Sequence, residues 1–500
     1  MADEPSSTPL IGLVIVAVAW LTFRVEFGAP GADELEKLPN SIAVLQCDNL
    51  SPDPDNAFFA ASLHEEILNQ LVKLRGLNVI ARTSVMQYAN AARPIPEIAD
   101  ELKVQSIMEC SVSYADDRVA ITAQLVDGET GVHLWSERYN REFRDVFGIQ
   151  ADIAMNVAAA LRAELSIDMT NIDRSATESP EAYALYLEAR NLRLTDAIAP
   201  RIHLLMDRAI ALDPSFAPAY AVKAQQYAFN VVDSVTGASV PGRDRVAREY
   251  AERALTLDST VAEAYEALAA VDLYSWRWTS ARRQHEILQS LGRESATSAR
   301  LHSFMGDHAA AIRTMQRVVQ LNPADWLAHR DMAWVQIMAR DFAGAARSLQ
   351  RSLELSPAQS RTHRFVAYVE IARGNESEAL QAIELSERLL GSERSRTQLP
   401  EIAKVYGQLG RRDDARRLFE EIAEPGATAD IGAGARVTAY LAIGDHEKAR
   451  EWLAVAAGKV AKHEPDPGFW TLMHLRTNIS SHPVLEQPEF AELLARIEGD

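Results

Sequence analysis

Hydrophobic positions along the chain change their period as the sequence advances. Residues 10–23, LIGLVIVAVAWLTF, are continuously apolar, and 19 uncharged residues separate Glu4 from Arg24. That is close to the ~20 residues that cross a bilayer as a helix, with Arg24 reaching the interface and Trp20 and Phe23 placed as interfacial aromatics. From residue 41 the pattern becomes short and β-branched. Ser41–Cys47 (SIAVLQC) and Leu77–Ala81 read as strands, Gln105–Tyr114 and Val119–Asp127 as a hairpin about Asp116 and Asp117, and His133–Arg138 as a strand after Gly128 and Gly131. Phe59, Leu63, Ile67, Leu71 and Leu74 recur at helical spacing until Gly76. Pro96–Leu102 reads as a short helix and Val146–Leu165 as a long amphipathic one. Beyond residue 180 the helical period holds almost to the end.

The helical region repeats itself. Gly306, Arg340, Gly374, Gly410 and Gly444 are spaced by 34, 34, 36 and 34 residues. Each is followed five residues later by alanine, at Ala311, Ala345, Ala379, Ala415 and Ala449. Prolines recur in phase at Pro323, Pro357 and Pro425. A turn residue, a side chain small enough for close helix contact and a helix stop describe a helix–turn–helix unit. This period resembles the tetratricopeptide repeat (TPR) family, with about eight units between Glu181 and Gly458 and a longer loop at residues 233–242. A coiled coil would carry heptads and no phased glycine or proline.

The expected fold class is therefore α+β and multidomain: an N-terminal transmembrane helix, a small α/β domain and an all-α solenoid. We place a tail at 1–9, the anchor at 10–28, a linker at 29–39, the α/β domain at 40–170, the repeats at 180–460 and capping helices at 461–500. A cleaved signal peptide competes with the anchor, because residues 29–32 (APGA) are small, but no basic residue precedes the apolar run.

Charge supports the division. Residues 1–174 hold 13 basic and 26 acidic side chains, the remainder 38 and 44, and the whole chain is at −19. That excess of acid argues against nucleic acid as a partner. Catalytic signatures are missing from the sequence. His64-Glu65-Glu66 is followed by Leu68 rather than by a second histidine, and residues 127–131 (DGETG) read as a hairpin turn, not a calcium loop. No phosphate loop, nucleophile elbow or dinucleotide fingerprint occurs. His302, His308, His329 and His363 are dispersed without metal-ligand spacing. We expect no catalytic residue, no metal and no cofactor.

The runs IAVLQCDNLSPDPDNAFFAASLHEEILNQL, LNVIARTSV and ITAQLVDGETGVHLWSERYNREFRDVFGIQADIA resemble the TolB-like amino-terminal domain over about residues 40–165. That module accompanies TPR arrays in bacterial membrane proteins, beside a cyclase or winged-helix domain. The resemblance implies an extracytoplasmic sensory or scaffolding part, here without the usual output domain. It thus implies a single-pass protein of the inner membrane with its bulk in the periplasm. Two departures are Gln46-Cys47, where the family has Pro-Phe, and Glu109-Cys110, where it has Glu-Gly. Both of the chain's cysteines replace family residues and fall in predicted strands. Either they are two buried apolar thiols, or, if those strands are neighbours, Cys47 and Cys110 form a disulfide.

Carrying the TPR family's groove positions onto matched units places Arg300, Trp334, Tyr368 and Lys404 at one recurring position. Ala296, Arg330, Arg364 and Pro400 occupy another. Arginines beside aromatics suit an extended peptide carrying carboxylates. The expected function is a membrane-anchored, non-catalytic scaffold or sensor that binds a protein or peptide. The alternative is a regulatory subunit of a transcriptional or cyclic-nucleotide system whose output domain is on another chain.

Overall fold

The computed structural model describes residues 37–51, 77–89, 93–115, 118–142, 179–192, 199–229, 242–291, 295–390, 399–423, 432–464, 469–476 and 483–497, with scattered positions between 60 and 74 and at 153, 156, 177 and 293. The expected tail and anchor, the helix 146–165 and most of the loop 233–242 lie outside these residues.

The β-branched segments build one sheet. Its strands are β1 (Ser41–Val44), β2 (Asp48–Asn49), β3 (Asn78–Val79), β4 (Ser106–Ala115), β5 (Arg118–Asp127) and β6 (His133–Glu142). The order is β3-β1-β4-β5-β6, with β2 also pairing β4. β1 runs parallel to β3 and β4, whereas β4–β5 and β5–β6 are antiparallel. The expected strand Ser41–Cys47 stops at Val44, and pairing resumes only at Asp48. Val44 pairs with Met108 but Asp48 with Ser111, so the β1 side holds one residue more than the β4 side. Such a bulge re-aims the side chains around it. Cys47 lies in it, 4.6 Å in Cα distance from Cys110 of β4, and the two are joined as a disulfide. One sheet face packs on helical Leu63, Ile67 and Leu71; on the other lies α2 (Ile95–Leu102), after the single turn α1 (Arg82–Val85).

Among the described residues, the helices between 180 and 460 form eight pairs: α3 (Pro180–Asn191) and α4 (Ala199–Leu212), α5 (Ala217–Phe229) and α6 (Arg243–Leu257), α7 (Ala262–Tyr274) and α8 (Trp278–Ser290), α9 (Ala296–Phe304) and α10 (His308–Leu321), α11 (Trp326–Met338) and α12 (Phe342–Leu355), α13 (Ser360–Arg373) and α14 (Glu376–Leu389), α15 (Leu399–Gln408) and α16 (Arg412–Ala423), α17 (Ala433–Ile443) and α18 (His446–Val460). The phased alanines Ala311, Ala345, Ala379, Ala415 and Ala449 are all fully buried. The phased turn residues take the left-handed conformation: Gly306, Gly374, Gly410 and Gly444 at φ of 71–83°, and Arg340 at 60°. Trp276 holds the same turn between α7 and α8 at φ 60° and is fully buried. Only glycine adopts that region without steric cost. The next residue is often aspartate, and Asp307, Asp341 and Asp445 each cap the second helix through a backbone N–H.

The sheet does not merely precede the array. Ala81 N donates to Leu321 O at 2.8 Å, Ala324 N donates to Ser84 Oγ at 3.2 Å, and Arg317 donates to Asn78. The α/β domain thus docks where α10 meets α11, some 240 residues along the chain.

The expected fold class needs correction. The described structure is mostly helical and solenoidal, and none of its helices is long and apolar enough to cross a membrane. The transmembrane helix and the single-pass inner-membrane placement built on it are withdrawn; the apolar run that motivated them lies outside the described residues.

Reduction of the Cys47–Cys110 bridge is expected to lower unfolding stability in urea by about 2–4 kcal/mol, because the bridge closes a long loop of the unfolded chain. Two titratable thiols in denatured, unreduced protein would contradict this.

Candidate binding channel

Neighbouring first helices touch along the array, from α7 through α9, α11, α13 and α15 to α17, while neighbouring second helices stay further apart. The array therefore bends around its first helices and encloses a concave channel. Arg300, Arg330, Trp334, Arg364, Tyr368 and Lys404 all stand on these first helices.

The channel is already partly filled. Helix α19 (Phe469–Arg476) lies across the first helices, with Phe469, Leu472, Met473, His474 and Leu475 buried. The Phe469 ring meets Tyr274, Trp276 and Phe304 at centroid distances of 5.2, 4.7 and 5.5 Å. The Trp334 indole N–H donates to His474 Nε2 at 3.1 Å. Indole nitrogen can only donate, so the proton of a neutral His474 sits on Nδ1, which faces Glu401 Oε2 at 3.4 Å. Tyr368 also donates to Glu401, and Lys404 Nζ stands 3.9 Å from it. The sequence leads one to expect caps over the last unit at 461–500. In the structure α20 (Pro488–Ala495) does pack on α18, but α19 runs inward. No residue in its short apolar run distinguishes an end cap from a channel occupant.

Burial decides how the expected groove residues behave. Trp334 and Tyr368 belong to the core, and Arg330, Arg364 and Lys404 are each under 10% exposed. Arg300 donates to Asp331 Oδ2 at 2.6 Å, and Arg330 donates to Asp331 Oδ1 at 2.8 Å. Burial opposes ionisation of Asp331, but Arg330 and Arg300 outweigh it and hold the carboxyl below its usual range. Burial likewise opposes Glu401, and Lys404, His474 and Arg364 overcome it. Asp331, Glu401 and Arg361 stand outside the aligned groove positions. Arg361 had a signal, since it sits three residues before Arg364 and so on the same helical face.

Among the described residues, no group of three or more His, Cys, Asp and Glu side chains is placed to hold a metal. His329 and His363, 34 residues apart, make the same bond, to the carbonyls of Pro323 and Pro357 at 2.9 and 2.8 Å. They are structural parts of the repeat.

Residues 296–325 match the model of the family described as Tetratricopeptide repeat. The chain contains a TPR array, and such arrays generally mediate protein–protein interactions. Putative adenylate cyclase 3 of Rhizobium meliloti (strain 1021) is 37% identical over 184 residues, which are 36% of this chain and 31% of that protein. The chain thus matches about a third of that relative's length. Among solved structures, a tetratricopeptide repeat protein from Parabacteroides merdae is 16% identical at a TM-score of 0.33, covering 56% of this chain and 98% of that one. YrrB, described as a TPR protein with an unusual peptide-binding site, is 19% identical at a TM-score of 0.27, covering 37% and 93%.

The array should be acid-sensitive. Burial lowers the pKa of His203, His285, His302, His329, His363 and His474, with His285 pushed down to about 4 by burial and by His302 beside it. Above the ordinary value of ~6.5 both folded and unfolded chains leave these groups neutral. Below it the unfolded chain binds protons that the folded array does not, so stability falls with pH. Melting temperature is expected to drop between pH 7 and pH 5, and to drop less in His285→Gln. A flat profile over that window would contradict the assignment.

Proposed function

We propose that this is a non-catalytic interaction protein whose concave channel seats a polypeptide segment of a protein partner. The observation that carries the reading is α19. A helix of this same chain lies across successive first helices, so the channel has the width and the apolar lining to hold a helix. The polar half of the channel, from Arg300 to Arg364, lies beside the apolar stretch that α19 covers. A partner would then meet a charged segment first and an occupied apolar segment second.

A second reading is favoured by the likeness to Putative adenylate cyclase 3. In it the chain is a regulatory or sensory component of a cyclic-nucleotide system, and the partner carries the output activity. The two readings share the channel and differ in what binds there.

A photo-crosslinking residue in place of Arg361, exposed in the channel, should capture a partner protein from native extract. The same residue in place of Val455, exposed on the second helix α18, should not. Leu472→Asp, which loosens α19, should raise the yield at position 361. Capture at 455 alone, or equal capture at both positions, would move the binding face off the channel and sink the reading.

A further inference from the structure

Helix α19 carries one histidine, His474, and its neighbours suit that ring to a single protonation state. Trp334 of α11 donates its indole proton to His474 Nε2 at 3.1 Å. An indole nitrogen never accepts, so Nε2 must present a lone pair, and the proton of the neutral ring lies on Nδ1, toward Glu401 Oε2 at 3.4 Å. A second proton has only Nε2 to go to. There it points at the Trp334 N–H, inside a contact where Trp334 is 5% exposed and His474 6%. A hydrogen bond is then replaced by repulsion between two buried donors.

The surrounding charges also oppose that proton. From α15 come Glu401 and Lys404, and from α13 come Arg364 and Tyr368. Glu401 favours an imidazolium, but Lys404 and Arg364 already answer Glu401 and repel a further cation. The Tyr368 hydroxyl stays neutral, because burial and Glu401 raise it well above its usual range. α17 meets α19 around Thr438, Leu441, Ala442 and Leu475, none of which ionises. α7 and α9 meet it at the other end, where Phe469 packs on Phe304 and on Tyr274, which burial likewise keeps neutral. Burial is the largest influence on His474, and together with the two cations it outweighs Glu401, so the ring titrates below its ordinary value.

The helix itself is held by a modest apolar contact. Phe469, Leu472, Met473 and Leu475 are its buried apolar side chains. Ordering its eight residues offsets much of what that burial contributes, so one contact inside the seat weighs in the balance. Release would not require the end of the array to come apart, because α18 before α19 and α20 after it pack on each other.

We propose that α19 is a pH-gated occupant of the channel with the Trp334–His474 contact as its latch, seated while His474 is neutral and released when His474 takes a second proton. Acid thereby uncovers the apolar seat among Tyr274, Trp276 and Phe304. Above about pH 6.5 the ring is neutral in both the seated and the released helix, and the seat is at full strength. Below it the released histidine binds a proton that the seated one does not. The ratio of released to seated helix then rises by up to about tenfold per pH unit, until the seated ring itself titrates. The consequence for a partner rests on the reading of the channel as the binding face, whereas the latch is tested without one.

The test is hydrogen exchange of the full chain at pH 7 and pH 5, corrected for intrinsic rates. Protection of residues 469–476 should fall by about tenfold or more, and by more than that of α11 and α15. In His474→Gln, whose amide oxygen can accept from Trp334 at either pH, the helix should stay protected at both. In Trp334→Phe, which keeps an aromatic ring and removes the donor, protection should be lower at pH 7 and should fall less on acidification. The latch is overturned if 469–476 loses no more protection than α11 and α15, or if either variant keeps the full pH dependence of the parent. Should His474→Gln fail to seat α19 at pH 7, Trp334→Phe decides by the same criterion. Crosslinking at position 361 is unaffected by failure of the latch, and exchange at 469–476 is unaffected by failure to crosslink a partner.

Discussion

Glu401 is the buried charge around which the concave face is organised. Its carboxylate accepts from Tyr368, stands beside Lys404 and faces His474, whose other ring nitrogen accepts from Trp334. A carboxylate this deep is tolerated only with partners on several sides, and losing one of them leaves an uncompensated charge. The partners come from α11, α13, α15 and α19, so one ionised group ties three first helices to the helix that crosses them. The apolar seat of α19 extends the same contact, with Phe469 among Tyr274, Trp276 and Phe304. Fold and candidate site are therefore one structure: what closes part of the channel also fixes the spacing of the helices that line it.

The array's regularity was legible because few residues determine it. A left-handed turn residue, a buried alanine five positions on and an aspartate cap recur in the sequence and recur in space. Arg340 stood out as an occupant of a glycine position, and its φ of 60° agrees. Trp276 takes the same conformation and gave no signal, because a large aromatic at a left-handed turn breaks the local rule and is held there by complete burial. The strands were legible from β-branched runs, but the bulge that ends the first one was not, since a bulge is a mismatch between two strands and not a property of either.

What the sequence left hidden depends on long-range contact. The docking of the sheet on Leu321 and Ala324 joins segments some 240 residues apart. The direction of α19 rests on where its apolar face finds cover, and an eight-residue run fits an end cap as well as a channel. Aligning units did place Arg300, Arg330, Trp334, Arg364, Tyr368 and Lys404 on one surface. It could not tell which would be buried against the chain's own helix and which would face the lumen. Arg361, outside the aligned positions, is the more open cation. The apolar run at the start of the sequence carried an expectation of an anchor that the described helices do not support.

Hydrogen exchange at residues 469–476 tests the central claim most directly, that α19 occupies the concave channel through the Trp334–His474–Glu401 contact. The amides of this helix are expected to be protected to nearly the level of α11 and α15 in the parent, and to lose that protection selectively in Trp334→Ala. Exchange at unstructured rates in the parent protein, with α11 and α15 protected, would contradict it.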